Sequence, residues 1–301
     1  MRPIKEYLTS PRLLAISLLM RFGMWIPDSI YLRMMYYLTM GELLNLKHPV
    51  TFSEKLQWLK LYNRKPEYTM MVDKVRVKEY VAKIIGREYI IPTLGVWDSF
   101  DDIDFDLLPN KFVLKTNNGG GSGGVIVCYN KNQLNLKVAK RKLEKSFHRN
   151  IYSTYREWPY KDVQPKYLAE ELLEMPDNVD LEDYKFFCFN GIPKYCQVIS
   201  GRKGVMSIDF FDRDWKHQEF HEPKDFPFAS VVPVKPENFE LMWDLAEKLA
   251  LDKLFVRIDF YNLSGKIYFG EITFFPTSGL GGFEPKIWDY RFGELINLPI
   301  N

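Results

Sequence analysis

Between Val256 and Pro276 the chain reads VRIDFYNLSGKIYFGEITFFP. Two aromatic and β-branched runs flank a polar turn, the pattern of an antiparallel hairpin. By the two-residue period of a strand, Arg257 and Asp259 share one face of the first run, and Glu271 and Thr273 share one face of the second. If Tyr261 pairs with Ile267, Arg257 opposes Glu271 and Asp259 lies on the diagonal. Any register of the same parity keeps all four side chains together. Phe269 and Phe275 fall on that face too, which argues that it is closed to water. Asp and Glu projecting together beside an Arg make a poor core and a good divalent-cation site, since Mg²⁺ binds through one or two carboxylates with phosphate oxygens and waters. The competing reading is a solvated sheet face carrying an Arg–Glu cross-strand pair.

Strand patterns continue upstream. KFVLK, GVIVCY, KYLAEELL, DYKFFCFNGIPKYCQVIS and VMSIDFFD are rich in aromatic or β-branched residues, and turn signals such as FNGIP point to hairpins rather than repeated βαβ units. Helices interrupt them at residues 137–148 and 236–249. Before Lys111 the chain is mainly helical. TFSEKLQWLKLY has Thr51 or Ser53 as cap and Glu54 in the first turn. MVDKVRVKEYVAKIIG reads as one helix with Val72, Val75, Tyr80, Val81 and Ile84 as its apolar set and Gly86 as C-cap. The expected class is α+β, in three sections: an N-terminal helical extension (1–48), an α/β part (49–110) and a mostly stranded core (111–301).

The region from Leu13 to Leu44 predicts two amphipathic helices broken near IPDS, with Asp28 or Ser29 capping the second. LLAISLLM ends at Arg21, short of the roughly 18–20 apolar residues a membrane span requires. Two uses are open for these helices, packing against the body or contact with a membrane surface. A net charge of +2 gives no reason to expect nucleic acid as a partner. Three scattered cysteines and four histidines without an HxxxH pair argue against a disulfide framework or a histidine-based zinc site and suit a cytosolic protein.

KFVLKTNNGGGSGGVIV, from Lys111 to Val127, places a lysine before a glycine run and a strand after it. A Walker A loop needs Gly-Lys-Ser/Thr at the end of the run and then a helix, and the dinucleotide fingerprint also needs a helix. Both fail on context. What remains is a strand–loop–strand hairpin whose N–H groups can close over a polyphosphate, or a flexible tip with no ligand.

Taken in order, VDKVRVKEY, FVLKTNNGGGSGG, YLAEELLE, EDYKFFCFNG and RIDFY…FGEITFFP resemble the ATP-grasp superfamily. TFSEKLQW, DYKFFCFNG and FGEITFFPTSG are similar to its TupA-like branch, found with bacterial surface-polysaccharide and teichuronopeptide biosynthesis. The resemblance runs from about Pro49 to Leu298 and implies an ATP-grasp fold, with antiparallel sheets enclosing an ATP cleft. It implies that Lys74 and Lys115 hold the nucleotide and that Gly119, Gly120, Gly121, Ser122, Gly123 and Gly124 cover its phosphates. Glu170, Glu171, Leu172 and Leu173 match the hinge that meets the adenine, Asp183 the ribose acid and Lys185 a basic residue near the phosphates. Lys115, Lys185 and Arg257 would offset charge on the transferring phosphoryl group, and Asp259, Glu271 and Thr273 would hold Mg²⁺. Thr273 departs from the usual Glu-x-Asn order of the superfamily.

The activity so implied is ATP-dependent ligation of a carboxylate to an amine through an acylphosphate, with the glycine hairpin as a lid against water. The substrates would be a small-molecule or glycan carboxylate, such as a uronic-acid group, and an amino acid or peptide amine. The protein would work in the cytoplasm or peripherally at the inner face of the membrane, beside other glycan-assembly enzymes. Asn117, Arg202, Ser278 and SGLGGFEP are candidate substrate contacts. Two other classes remain open: a kinase acting on a sugar hydroxyl, and a non-catalytic ATP-binding scaffold.

Overall fold

The computed structural model describes residues 10–119, 122–175, 181–201 and 204–299. Among them ten strands divide between two antiparallel sheets. The smaller runs β1-β4-β2-β3, made of β1 (Thr93–Trp97), β2 (Phe112–Thr116), β3 (Val125–Cys128) and β4 (Tyr167–Glu170). The larger runs β10-β9-β5-β6-β7-β8, made of β5 (Asp183–Phe189), β6 (Ile192–Ser200), β7 (Ser207–Phe211), β8 (His217–Gln218), β9 (Phe255–Leu263) and β10 (Lys266–Thr273). The smaller sheet takes β1 from before residue 110 and its other strands from after it.

One face of the larger sheet changes character along its length. Phe255 of β9 and Phe187 and Phe189 of β5 pack with Phe52 of α3 (Phe52–Tyr62) and Phe292 of α9 (Ile287–Glu294), with Phe52 and Phe255 centroids 4.9 Å apart at a steep angle. Further along the same face, beyond the aromatic cluster, the strands carry Arg257 and Asp259, and Lys185 and Asp183. The opposite face of β5 buries Phe186 against Phe239 and Trp243 of α8 (Phe239–Ala250). In the smaller sheet, Phe112 and Leu114 pack against Ala139 and Leu143 of α6 (Leu136–Phe147). That leaves Val113 and Lys115 on the other face.

The hairpin register differs from the expected one, for two reasons. The turn is the two-residue Ser264–Gly265, both at positive φ (49° and 89°), which matches the twist of the strands. It pairs Leu263 with Lys266 and Tyr261 with Tyr268 rather than with Ile267. A bulge between Phe269 and Glu271 then shifts the register by one. Asp259 therefore opposes Glu271, and Arg257 opposes Thr273. The four polar residues share a face as expected, whereas Phe269 pairs with Phe260 on the other face.

MVDKVRVKEYVAKIIG is two helices, α4 (Glu67–Val72) and α5 (Val77–Ile85), not one. Asp73 Oδ1 accepts from the Val75 N–H (2.9 Å) and the Arg76 N–H (3.3 Å), which ends α4. The buried positions of α5 are Val77, Val81 and Ile85, while Ile84 is exposed. Thr51 caps α3 in a capping box with Glu54, and Gly86 ends α5, both as expected.

The N-terminal helices are α1 (Pro11–Phe22) and α2 (Asp28–Met40). Asp28 does not cap α2; Pro27 occupies that position without a side-chain bond. The Asp28 carboxylate instead anchors the pair to the body. It meets Arg64 at 2.6 Å and Arg156 at 2.9 Å and accepts from the Tyr152 hydroxyl of α7 (Ile151–Tyr155). The far side of α1 presents Leu14, Leu18, Phe22 and, just beyond its end, Trp25, which is 89% exposed. Among the described residues no helix is long and apolar enough to cross a membrane.

A Cβ added at Gly270 would lie 3.1 Å from the Asp259 carbonyl oxygen and 3.3 Å from the Tyr261 ring. Gly270→Val is expected to cost about 1–3 kcal/mol of overpacking, measured by urea unfolding. Unchanged stability would show that the bulge has room for a side chain.

Candidate active site

The floor of the site is the charged end of the larger sheet. Asp259 sits directly opposite Lys185 on one side and Glu271 on the other. The Lys185 ammonium bonds Asp259 Oδ2. Arg257 donates through Nε to Oδ1 and through Nη2 to Oδ2 of the same carboxylate, each at 2.7 Å, a bidentate fork. Arg257 Nη2 also reaches Glu271 Oε1 (3.1 Å) and Thr273 Oγ1 (3.2 Å), and the Thr273 hydroxyl donates to the same Glu271 oxygen (3.2 Å). Burial disfavours the charge on Arg257, but Asp259 and then Glu271 outweigh it and raise its pKa.

The roof is the polar face of the smaller sheet. Glu170 is held by two lysines: Lys78 Nζ lies 2.7 Å from Oε1 and Lys115 pairs with Oε2. Burial opposes its ionisation, but Lys115 and Lys78 prevail and hold its carboxyl below the usual range. Lys78 was not singled out in the sequence. Its place on α5, four residues after Lys74, is the signal that could have found it.

Lys74 connects roof and floor. It stands in the turn between α4 and α5, not on a helix. Its N–H donates to the Asn117 carbonyl (3.2 Å), its ammonium bonds the Gly119 carbonyl, and it faces Glu271 Oε2 at 3.7 Å. Burial lowers its pKa, and Glu271, Lys115, Glu170 and Asp73 all act on it electrostatically. Lys115 itself pairs with Glu170 rather than with the carboxylates of the floor, and its charge acts on Lys74.

Asn117, expected as a substrate contact, is a strut. It is fully buried; Nδ2 donates to Asp73 Oδ1 (3.0 Å) and the Gln164 carbonyl (2.9 Å), and Oδ1 accepts from the Lys166 N–H (2.7 Å). Ser278 is likewise structural: its hydroxyl donates to Glu157 and its carbonyl accepts from the buried Lys60 ammonium (2.8 Å). Gly119 and Gly124 pinch the base of the loop against the Thr116–Ser146 hydroxyl pair, where a Cβ would fall within 2.9 Å of Ser146 Oγ at either position. Gly123 faces open space. Gly120, Gly121, the Ser122 side chain and Arg202 lie outside the described residues. At the hinge, β4 ends at Glu170, the Glu171 N–H donates to the Pro92 carbonyl (3.1 Å), and Leu172 and Leu173 are half-buried. Asp183 is buried, opposite Tyr261 and Ile199.

Two further groups border the site without a sequence signal, because both sit outside periodic elements. Glu222 is buried, accepts from the Thr277 hydroxyl (3.0 Å) and is pushed up to about 7 by burial. The Tyr160 phenol is held far above the usual tyrosine range, first by burial and then by Glu157 and Glu271.

The residues fit a hard divalent cation. Asp259, Glu271 and Thr273 offer carboxylate and hydroxyl oxygens on neighbouring strands, the donor type Mg²⁺ takes when phosphates complete its shell. Among the described residues no three His, Cys, Asp or Glu side chains group as a metal-ligand set, so such an ion would depend on substrate oxygens. Lys74, Lys185 and Arg257 supply the positive charge around these carboxylates.

Lys115 and Glu170 on the smaller sheet, Lys74 in the turn before α5, and Lys185, Arg257, Asp259 and Glu271 on the larger sheet make the charged site of a protein of the α+β ATP-grasp class. Residues 54–297 match the family described as TupA-like ATPgrasp, and the chain belongs to that family. No curated protein matches the chain. Among solved structures, the D-alanine–D-alanine ligase of Bacillus anthracis complexed with ATP is similar at 17% identity, over 68% of this chain and 53% of that one, with a TM-score of 0.39. The chain thus matches about half the length of that ligase. Carboxyaminoimidazole ribonucleotide synthase from Aspergillus clavatus matches at 13% identity over 68% of this chain and 45% of that one, with a TM-score of 0.41. D-cycloserine synthetase DcsG matches at 13% identity over 97% and 94%, with a TM-score of 0.47.

Burial opposes ionisation of Glu271, but Lys74, Lys185 and Arg257 together bring its carboxyl to about 2. Its side chain keeps 34% of its surface, so solvent screens part of that field. A depressed folded pKa adds stability that is complete above the unfolded value of about 4.3 and is lost as pH falls toward 2. In the ligand-free protein, the stability difference between wild type and Glu271→Gln is therefore expected to be largest above pH 5 and to shrink below pH 4. Urea melts across that range check it; a constant difference would remove the ion-pair account.

Proposed function

We propose that this protein is an ATP-dependent carboxylate–amine ligase. The observation that carries the reading is the convergence of Lys74, Lys185 and Arg257 on Asp259 and Glu271, with Lys115 paired to Glu170 on the smaller sheet, within a family whose name is ATP-grasp. A carboxylate oxygen of the acceptor attacks the γ-phosphorus, and the bond to the β-bridging oxygen breaks and releases ADP. The amine nitrogen then attacks the acyl carbon, phosphate leaves, and the nitrogen loses a proton. Lys115, Lys185 and Arg257 would orient the phosphates and offset the charge that builds on them. Mg²⁺ held by Asp259, Glu271 and Thr273 would add charge neutralisation at the same oxygens. Within this class we assign the acceptor to a uronic-type carboxylate of a bacterial surface polysaccharide and the donor to an amino acid or peptide. That assignment follows the biosynthetic setting associated with the TupA-like branch.

Phosphorylation of a hydroxyl is the second reading, and Glu222 favours it. A hydroxyl acceptor needs a general base, and a buried carboxyl brought to about 7 beside Arg257 has a suitable affinity for protons. The product separates the two.

The α1–α2 pair is assigned to peripheral contact with an anionic membrane surface. Leu14, Leu18, Phe22 and Trp25 recur at helical spacing and are exposed. Arg12, Arg21 and Arg33 outnumber Asp28 on these helices, and Asp28 is engaged by Arg64 and Arg156. Charge and apolar surface therefore favour the same occupant.

Hydroxylamine, a small nucleophilic amine, reports an acylphosphate as a hydroxamate. With Mg-ATP, hydroxylamine and a panel of D-glucuronate, D-galacturonate and L-glutamate, hydroxamate and ADP are expected together. Glu271→Gln is expected to lose at least a hundredfold in this turnover while keeping its circular dichroism spectrum. A phosphorylated sugar without hydroxamate would replace ligase by kinase.

For the membrane contact, co-sedimentation with phosphatidylglycerol vesicles is expected to exceed that with phosphatidylcholine and to fall at least fivefold in Phe22→Ser/Trp25→Ser. Loss of a dimer in that variant, with no vesicle binding by wild type, would reassign the stripe to self-association.

A further inference from the structure

Beside the base of the glycine loop lies a cavity of about 260 Å³, with Asn118, Phe147, His148, Arg149, Tyr160 and Val163 among its lining residues. At about 30 Å³ per water it has room for roughly nine waters, the scale of one amino acid or one sugar ring. Its position follows from register. In the smaller sheet Glu170 pairs with Val113, whereas Tyr167 pairs with Thr116 at the end of β2 that leads into Asn117 and Asn118. The hinge and the cavity thus lie at opposite ends of the same two strands, with Lys115 between. A nucleotide whose base meets the hinge and whose phosphates pass Lys115 would run toward the end of the strands beside which the cavity lies.

The lining is selective. Asn118 is 6% exposed; its Nδ2 donates to the carbonyls of Phe147 (3.1 Å) and Arg149 (3.4 Å), which clamp the residues between α6 and α7 onto the loop. Its Oδ1 is buried and has no hydrogen-bond partner. A buried acceptor left unpaired is costly, and a ligand donor would satisfy it. Arg149 and His148 are exposed at the cavity, and Arg149 acts electrostatically on the buried Glu157. Tyr160 lines the cavity, and Glu271, Arg257 and Asp259 of the floor act electrostatically on its phenol.

Resting on the ligase reading above, we infer that this cavity is the acceptor subsite: Arg149 with His148 holds the carboxylate of a small hydroxy or amino acid, Asn118 Oδ1 accepts from its neighbouring hydroxyl or ammonium group, and the Tyr160 hydroxyl positions it toward the γ-phosphate. Chemistry and recognition then divide between elements. The strands carry the phosphoryl machinery, and the α6–α7 connection reads the acceptor.

Phenylglyoxal modification of arginines, read by mass spectrometry on the full chain with a non-hydrolysable Mg-ATP analogue bound, tests the subsite without turnover. D-glucuronate or L-glutamate is expected to slow labelling of Arg149 at least fivefold and to leave the exposed Arg213 unchanged. Equal labelling of Arg149 with and without both compounds overturns the proposal. In the hydroxamate assay, Arg149→Met is expected to raise KM for the carboxylate at least tenfold, with the affinity for Mg-ATP within twofold of wild type. An equal loss of nucleotide affinity would place Arg149 in the nucleotide site and also overturn it. Protection of Arg149 without any hydroxamate removes the ligase reading and keeps the subsite. Hydroxamate formation undiminished in Arg149→Met, without protection in wild type, removes the subsite and keeps the ligase.

Discussion

Asp259 lies between Lys185 and Arg257, almost out of reach of water, and the rest of the site depends on that arrangement. A buried charge is tolerated only when opposite charges and hydrogen bonds compensate it. Here one carboxylate receives an ammonium from the neighbouring strand and a two-pronged guanidinium from its own. The cluster begins where the aromatic packing of Phe255, Phe187 and Phe189 beneath α3 and α9 ends. The same two strands, β5 and β9, thus build the core at one end and a polar cleft at the other. Removing a single partner would leave a charge uncompensated. The charges that hold this sheet face together are therefore the same ones that would hold phosphate.

Across the cleft, five cations (Lys74, Lys78, Lys115, Lys185 and Arg257) are ion-paired with three carboxylates (Glu170, Asp259 and Glu271). Among these eight groups the excess is two positive charges, the number that a dianionic magnesium complex of ATP would offset. Each lysine already has an oxygen partner. Phosphate binding would therefore exchange one set of ion pairs for another rather than fill a preformed gap, and selectivity comes from placing many charges at once.

Much of this was legible in the sequence. The aromatic, alternating runs gave the strands, the Asn-Gly and Ser-Gly pairs gave the turns, and parity placed Arg257, Asp259, Glu271 and Thr273 on one face. The partner of each was not legible. Register is set first by the turn and then by Gly270, and one extra residue exchanges every opposing pair. Lys74 shows the same limit. Its helical periodicity was real, but Asp73 takes the backbone N–H groups that would have continued the helix, because its carboxylate also holds Asn117 forty-four residues away. Asn117 was a candidate substrate contact because it leads into the glycine loop, where asparagine is common. Its role depends on Gln164 and Lys166, which no local pattern announces.

Lys78 apart, the groups that sequence reading missed share a property. Glu222, Tyr160, His148 and Arg149 stand in connections or short turns, where neither the two-residue nor the 3.6-residue period applies. Their proximity to the cleft is made by long-range packing, as when Asn118 clamps the chain between α6 and α7. Strand residues are constrained by pairing on both sides, so the chemistry they carry can be read from alternation. Connections are constrained only where they touch the body, which frees their remaining side chains to meet a substrate. In this protein the part of the site that would handle phosphate is therefore the part a sequence discloses, and the part that would choose the acceptor becomes visible only once the chain is folded.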